Sequence, residues 1–308
     1  MDISQMRKEK SMKAIFKFLI ALAVIIVVLV VVFVVLINLT PRQYHLENVK
    51  LGEKTIEELG LADTKIIDIY KSIKNIDKVK EEDVVENPVN KEEEKQNASE
   101  NMQGSSLADT DDYSSVATQH VVYATPKLVE YDDTTIAYIL DNIIQNAGNE
   151  SSDAIKAVHD AKLSVKELTV GKSGETGTLR VVSYMDLSGY QDQIKEALGG
   201  AAGILPIPKK AYLVSEFTFT VNELGEMVTT PTGICINGNN DDPVSKAILQ
   251  VIGNMVEGED VDSLNGKLGQ AVSQVVGNLG RIGSSVVPLT IGMSGVADHK
   301  LTLITHVL

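Results

Sequence analysis

The run Phe18–Ile37, FLIALAVIIVVLVVVFVVLI, contains no charged or amide side chain. At 1.5 Å per residue such a helix reaches about 30 Å, the thickness of a bilayer's hydrocarbon core. A surface helix of a soluble domain carries a polar stripe, whereas this run is apolar on every side. It is too long for the apolar region of a cleavable signal peptide. Asn38, Leu39, Thr40 and Pro41 after it give no small-residue cleavage pattern, and no nearby cysteine could carry a lipid. The run reads as an uncleaved membrane anchor.

Flanking cations set its direction. Arg7, Lys8, Lys10, Lys13 and Lys17 precede the run, and only Arg42 and Lys50 follow it within a similar distance. Residues 1–17 are therefore expected in the cytoplasm as a short tail, with 18–37 spanning the cell membrane and the C-terminal part outside. The lone Cys235 is compatible with that side, since the fold must manage without an internal disulfide. A net charge of −14 excludes nucleic acid as a partner, because phosphate recognition needs clustered Lys and Arg.

Much of the acid sits in one stretch. Between residues 80 and 112 three lysines face eleven carboxylates. Residues 80–117 also lack periodicity and have few large apolar side chains, which predicts an acidic, disordered, self-repelling linker. A tail that binds cations or a partner is the other reading of that charge. Residues 38–79 read as a short ordered extracytoplasmic segment. There Thr55-Ile56-Glu57-Glu58 fits a capping box ended by Gly60. Asp63 is placed to cap a helix with Ile66, Ile67, Tyr70 and Ile73 on one stripe, apolar enough to dock on the main domain.

Residues 118–308 predict an extracytoplasmic α+β domain. Ile136, Ile139, Leu140, Ile143 and Ile144 form a helical stripe starting near Asp133, and a short helix carries Ile155 and Val158. A hairpin follows over 161–170 and 178–187, with Leu179, Val181, Ser183, Met185 and Leu187 on one face and Thr178, Arg180 and Tyr184 on the other. One buried and one wet face imply antiparallel pairing. After the Gly199–Gly203 hinge a second hairpin alternates Phe217, Phe219 and Val221 with polar residues. Asp242-Pro243 then caps a helix bearing Val244, Ile248, Ile252 and Val256, and Asp260 opens another with Leu264, Leu268, Val272 and Val275. A last strand pair is expected at about 286–294 and 299–308. Helices laid along one face of a hairpin-built antiparallel sheet result.

Patterns for chemistry are missing. None of His45, His120, His159, His299 and His306 belongs to a recognised metal-ligand spacing, and neither a GxSxG elbow nor an SxxK pair occurs. Gly277-Asn-Leu-Gly280-Arg-Ile-Gly283 has the wrong spacing for a dinucleotide fingerprint, and Asn237–Asp242 lacks the length and terminal Glu of a calcium loop. No catalytic residue, metal or cofactor is expected.

The block Ile207–Glu226 (IPKKAYLVSEFTFTVNELGE), then Thr232-Gly-Ile-Cys-Ile-Asn and Asp242–Ile252, resembles the YpmS-type single-pass membrane proteins of Gram-positive bacteria. The likeness is one of layout and covers roughly residues 130–308. It implies an N-terminal anchor followed by hairpins and amphipathic helices similar to tubular lipid-binding folds. Residues 50–76 and the acidic stretch depart from it. The Lys, Ile and Asn usage and the lack of Trp also suit a low-GC Gram-positive source.

The broad aliphatic faces close on each other as a core, or flank a groove for an acyl chain, which needs branched aliphatic walls and little polarity. On the groove reading the lining residues are Ile139, Ile143, Phe217, Phe219, Ile248, Ile252, Val272 and Val276. The chain is then a non-enzymatic envelope protein with membrane lipid as its partner. The alternative is a scaffold subunit with other envelope proteins as partners, recognisable by a flat apolar patch or an open edge strand. An enzyme would need polar residues converging in a cleft.

Overall fold

The computed structural model describes residues 26–27, 29–30, 32–51, 54–107, 110–119, 121–124, 128–192, 208–222, 226–239, 241–257, 261–279, 281–282 and 296–304. The chain is α+β, with antiparallel sheets and several helices. In chain order the principal elements begin with α1 (Ile66–Lys78), α2 (Lys91–Asn101), β1 (Leu128–Asp132), α3 (Asp133–Gln145) and α4 (Asp153–Asp160). Then come β2 (Leu163–Ser173), β3 (Thr176–Asp186), β4 (Lys210–Val221), β5 (Met227–Ile236), α5 (Pro243–Glu257), α6 (Val261–Asn278) and β6 (Lys300–Ile304).

Strands β2 to β5 form an antiparallel meander in sequence order. The β2–β3 turn is tighter than the glycine-rich connection predicts: Ser173 pairs with Thr176, and Gly174 supplies the positive φ of +63° that a two-residue turn demands. One face of the sheet carries Leu179, Val181, Ser183 and Met185 from β3 and Leu213, Ser215, Phe217 and Phe219 from β4, all within 3% of full burial. Helix α3 lies along β2, α6 along β5, and α4 against α6. Their stripes close the core: Ile136, Ile139, Leu140, Ile143 and Ile144 of α3 are fully buried, and Leu268, Val272 and Val275 of α6 nearly so. Each such side chain contributes about 1.5–3 kcal/mol through burial, which far outweighs any intrinsic propensity of these β-branched helices.

The third strand pair is met only in part. β6 pairs antiparallel with Val296–Ala297 just before it and, on its other side, with β1, from Lys300 opposite Asp132 to Ile304 opposite Leu128. The expected partner at 286–294 and the Gly199–Gly203 hinge lie outside the described residues.

The acidic stretch is not a disordered linker where it is described. Residues 91–101 are helical, and Ala98, Met102, Tyr113, Val116 and Ala117 are buried in the main core. Composition misled here because a few well-spaced apolar side chains sufficed once a ready-made apolar surface lay opposite. The sheet's second face is also less wet than its alternation implies. Val84 and Val85 cover Val182, Tyr212, Val214 and Cys235.

Ahead of that stretch, the described residues of 38–51 and 54–78 form one unit. Thr55 and Glu58 make the reciprocal bonds of a capping box (Thr55 N to Glu58 Oε2 2.7 Å, Glu58 N to Thr55 Oγ1 3.2 Å). They close a turn rather than a helix, ended by Gly60 at φ +70°. Asp63 does not cap α1, which has Lys65 at its N-cap and no side-chain cap. Asp63 instead accepts from Arg42 Nε at 2.8 Å. Ile69 and Ile73 of α1 pack with Val244 and Ala247 of α5, so the segment docks on the main domain.

Candidate functional site

Position along α5 decides where the eight expected groove residues lie. Asp242 caps the helix, accepting from Ser245 N at 3.0 Å and from Ser245 Oγ at 2.8 Å, and Pro243 needs no donor there. The cap phases α5 so that Ile252 points into the main core and Ile248 to its rim. Ile139, Ile143, Phe217, Phe219, Ile252, Val272 and Val276 are each at most 2% exposed and belong to one contiguous core. Ile248 is the exception: partly buried, it packs against both that core and the smaller cluster of residues 38–78. The structure thus brings seven of the eight together as packed interior and sets the eighth at the seam between two apolar bodies.

The polar candidates converge elsewhere, along the seam between the acidic stretch and β2–α3. Glu167 is completely buried, ion-paired with Arg180, and accepts from Asn87 N at 3.1 Å and from Glu86 N. Arg180 also donates to Val84 O at 2.9 Å, so the pair grips the backbone of residues 84–87 from both sides. Asp133 accepts from Asn87 Nδ2 at 3.2 Å and meets His299 Nδ1 at 2.7 Å. Asp141 takes Val165 N at 2.9 Å and Lys91 Nζ at 3.3 Å, and Glu94 takes Thr135 Oγ1 at 2.6 Å. Each buried carboxylate is occupied by donors, which makes these groups staples of the chain.

Asp133 and His299 form the pair nearest to acid–base chemistry. Burial pushes the Asp133 carboxyl above its ordinary range, and the hydrogen bond to Asp133 raises His299. His299 sits at φ +65° in the turn before β6, its N bonds to Val170 O at 2.8 Å, and its O accepts from Asp133 N at 3.0 Å. Its described bonds therefore knit the turn, β2 and the start of α3 together. Among the described residues no group of three or more His, Cys, Asp or Glu could hold a metal ion. A surface cleft of about 250 Å³ beside β1 is lined by Asn97, Glu100, Asn101, Leu128, Glu130 and Asp132, and it touches none of the eight aliphatic candidates.

The staples were missed because alternation alone does not report them. One signal was present: apolar residues at 163, 165, 168 and 170 change phase, and that phase change is the bulge between Val165 and Glu167. Compared with known proteins, the chain matches no family model, no curated protein and no solved structure.

Proposed function

We propose that this chain is a single-pass anchored envelope protein, with a cytoplasmic N-terminus, that acts by binding lipid or a lipid-linked molecule and not by catalysis. The observation that carries this reading is the exposed apolar surface of the described residues between 26 and 37. Described residues from 26 to 37 are helical and expose nine large apolar side chains by 43–62% each, a surface that hydrocarbon satisfies and water does not. Among the described residues no helix is by itself long and apolar enough to cross a membrane, and residues 18–25, 28 and 31 of the expected span lie outside them.

The helical stretch joins the folded unit tightly. Tyr44 Oη donates to Leu36 O at 2.8 Å, and Ile66 N to Leu39 O at 3.1 Å. Beyond that joint the cluster of Leu61, Ile69 and Ile73 packs against Val244 and Ala247 of α5, with Ile248 between that cluster and the main core. The scaffold reading has less support. Edge strand β5 carries Pro231 and a bulge opposite Glu216 and Phe217, and Asn265 Nδ2 occupies the Gly233 carbonyl at 3.0 Å. Those features blunt an edge against a further strand.

The test is photocrosslinking. The full chain is reconstituted in phosphatidylcholine–phosphatidylglycerol vesicles doped with a diazirine-bearing phospholipid, and labelled peptides are mapped by mass spectrometry. Label on the α5 peptide, besides the expected label on 18–37, supports the reading. Label on 18–37 alone sinks it and moves the weight to a scaffold.

A further inference from the structure

We infer that the open edge of β1 is a docking site for an extended segment of another protein, a strand with lysine or arginine at alternate positions. This goes beyond the lipid reading and does not depend on it.

Backbone pairing leaves that edge open. Among the described residues β1 pairs on one side only, with β6. Asp133 N donates to His299 O at 3.0 Å, which sets the phase of the ladder. Val129 and Tyr131 then turn their N–H and C=O groups towards β6, while Leu128 and Glu130 turn theirs to the opposite edge. On that side lies the cleft of about 250 Å³, between Leu128, Glu130 and Asp132 of the strand and Asn97, Glu100 and Asn101 of α2. The strand edge therefore faces open space and not a packed wall. The edges of the larger sheet differ. β5 is blunted by Pro231 and its bulge, and Val170 O of β2 already accepts from His299 N at 2.8 Å.

The occupant follows from charge and reach. A strand added to this edge lies about 4.8 Å from β1, in the cleft, and bonds to the backbone groups of Leu128 and Glu130. Its side chains alternate, so one set shares the face of Glu130 and Asp132, beside Glu100. Lys300 meets Glu130 at 2.5 Å and Asp132 at 3.7 Å, so three carboxylates at the cleft stand against one lysine. A cation opposite Glu130 is favoured there and a carboxylate is opposed. A second copy of this chain fits poorly for that reason, since its own β1 would bring the same acids to the edge. Leu128, 66% exposed on the same face, is covered by the aliphatic stem of a lysine.

The test uses the full chain in phosphatidylcholine vesicles, whose zwitterionic surface attracts little basic peptide. The probe is acetyl-KVKVK-amide, compared with acetyl-EVEVE-amide and with the basic peptide N-methylated on the backbone of its lysines, the residues set opposite Leu128 and Glu130. Affinity is read by calorimetry and the site by hydrogen exchange. The basic peptide should slow exchange at 128–132, and the acidic one should not bind. N-methylation should weaken binding about tenfold, as the loss of two hydrogen bonds requires, with no change to the protein's own fold. Glu100→Lys, checked for folding by circular dichroism, should weaken the basic peptide as well. Equal affinity of the N-methylated peptide overturns the docking, since charge alone would then hold it. Equal binding of the acidic peptide, or no binding of the basic one at millimolar concentration, overturns it too. So does protection at 128–132 that grows with protein concentration without any peptide, which would give the edge to a second copy.

Discussion

The ring of Phe219 lies over Gly177, its cross-strand partner, so closely that a Cβ at position 177 would stand 2.2 Å from Phe219 Cζ. An aromatic laid across a glycine restores the packing that a strand loses where it has no side chain. Gly177→Ala therefore has no room and must push the ring out of the core. The expected cost is about 1–3 kcal/mol, read as a lower denaturation midpoint at unchanged slope. Adding Phe219→Leu should return part of that loss. A simple sum of the two single effects would mean that the ring and position 177 do not compete for the same space.

A second expectation concerns the acidic stretch. Met102 and Ala98 are fully buried in the main core although they stand among glutamates and asparagines. Met102→Ala should cost about 2–5 kcal/mol, as for other large-to-small core changes. Limited proteolysis gives the companion reading: sites at 91–101 should resist cleavage in the wild type and become sensitive in Met102→Ala. Rapid cutting there in the wild type would restore the linker.

Periodicity made α3, α5, α6 and the two central hairpins legible, because their apolar residues recur at the spacing that burial requires, as Ile136–Ile144 and Leu179–Met185 do. Residues 80–117 were illegible for the opposite reason. Val84, Val85, Ala98 and Met102 are too few to form a pattern, and they are held by surfaces on β3, β4 and α3 that only the folded chain creates. The aliphatic candidates were found as a set, but sequence could not tell a wall from a core. That depends on whether the opposing faces meet, and for seven of the eight they do.

The Asp133–His299 pair gives a pH dependence of definite sign. Both groups are raised, Asp133 chiefly by burial and His299 chiefly by its bond to Asp133, so both bind a proton more tightly folded than unfolded. Their contribution is full below the unfolded pKa values and is lost as pH rises, for His299 in the window above 6.5. With the His299 side chain 60% exposed, solvent screens the effect and it will be modest. His299→Asn keeps a residue that tolerates positive φ and removes the charge. The wild type should lose more Tm than this variant between about pH 6 and 8. Parallel curves would remove the pair from any role in stability.

The Glu167–Arg180 pair should behave differently, since its carboxylate is fully buried and does two jobs. It neutralises Arg180 on the oxygen that also takes Thr169 Oγ1 at 3.0 Å, and it accepts the backbone amides of Glu86 and Asn87. Glu167→Ala leaves the guanidinium without its counter-ion and two amides without an acceptor, so it should cost about 3–5 kcal/mol. Replacing both partners by apolar residues, Glu167→Leu with Arg180→Met, removes the unpaired charge but not the orphaned amides. The double variant should therefore be more stable than Glu167→Ala yet still below the wild type. Hydrogen exchange separates the two jobs. Amides at 86 and 87 should exchange faster in both variants, because neither keeps their acceptor, while those of β3 and β4 stay protected in the double variant. Unchanged exchange at 86 and 87 would mean that the ion pair holds the charge of Arg180 and nothing else.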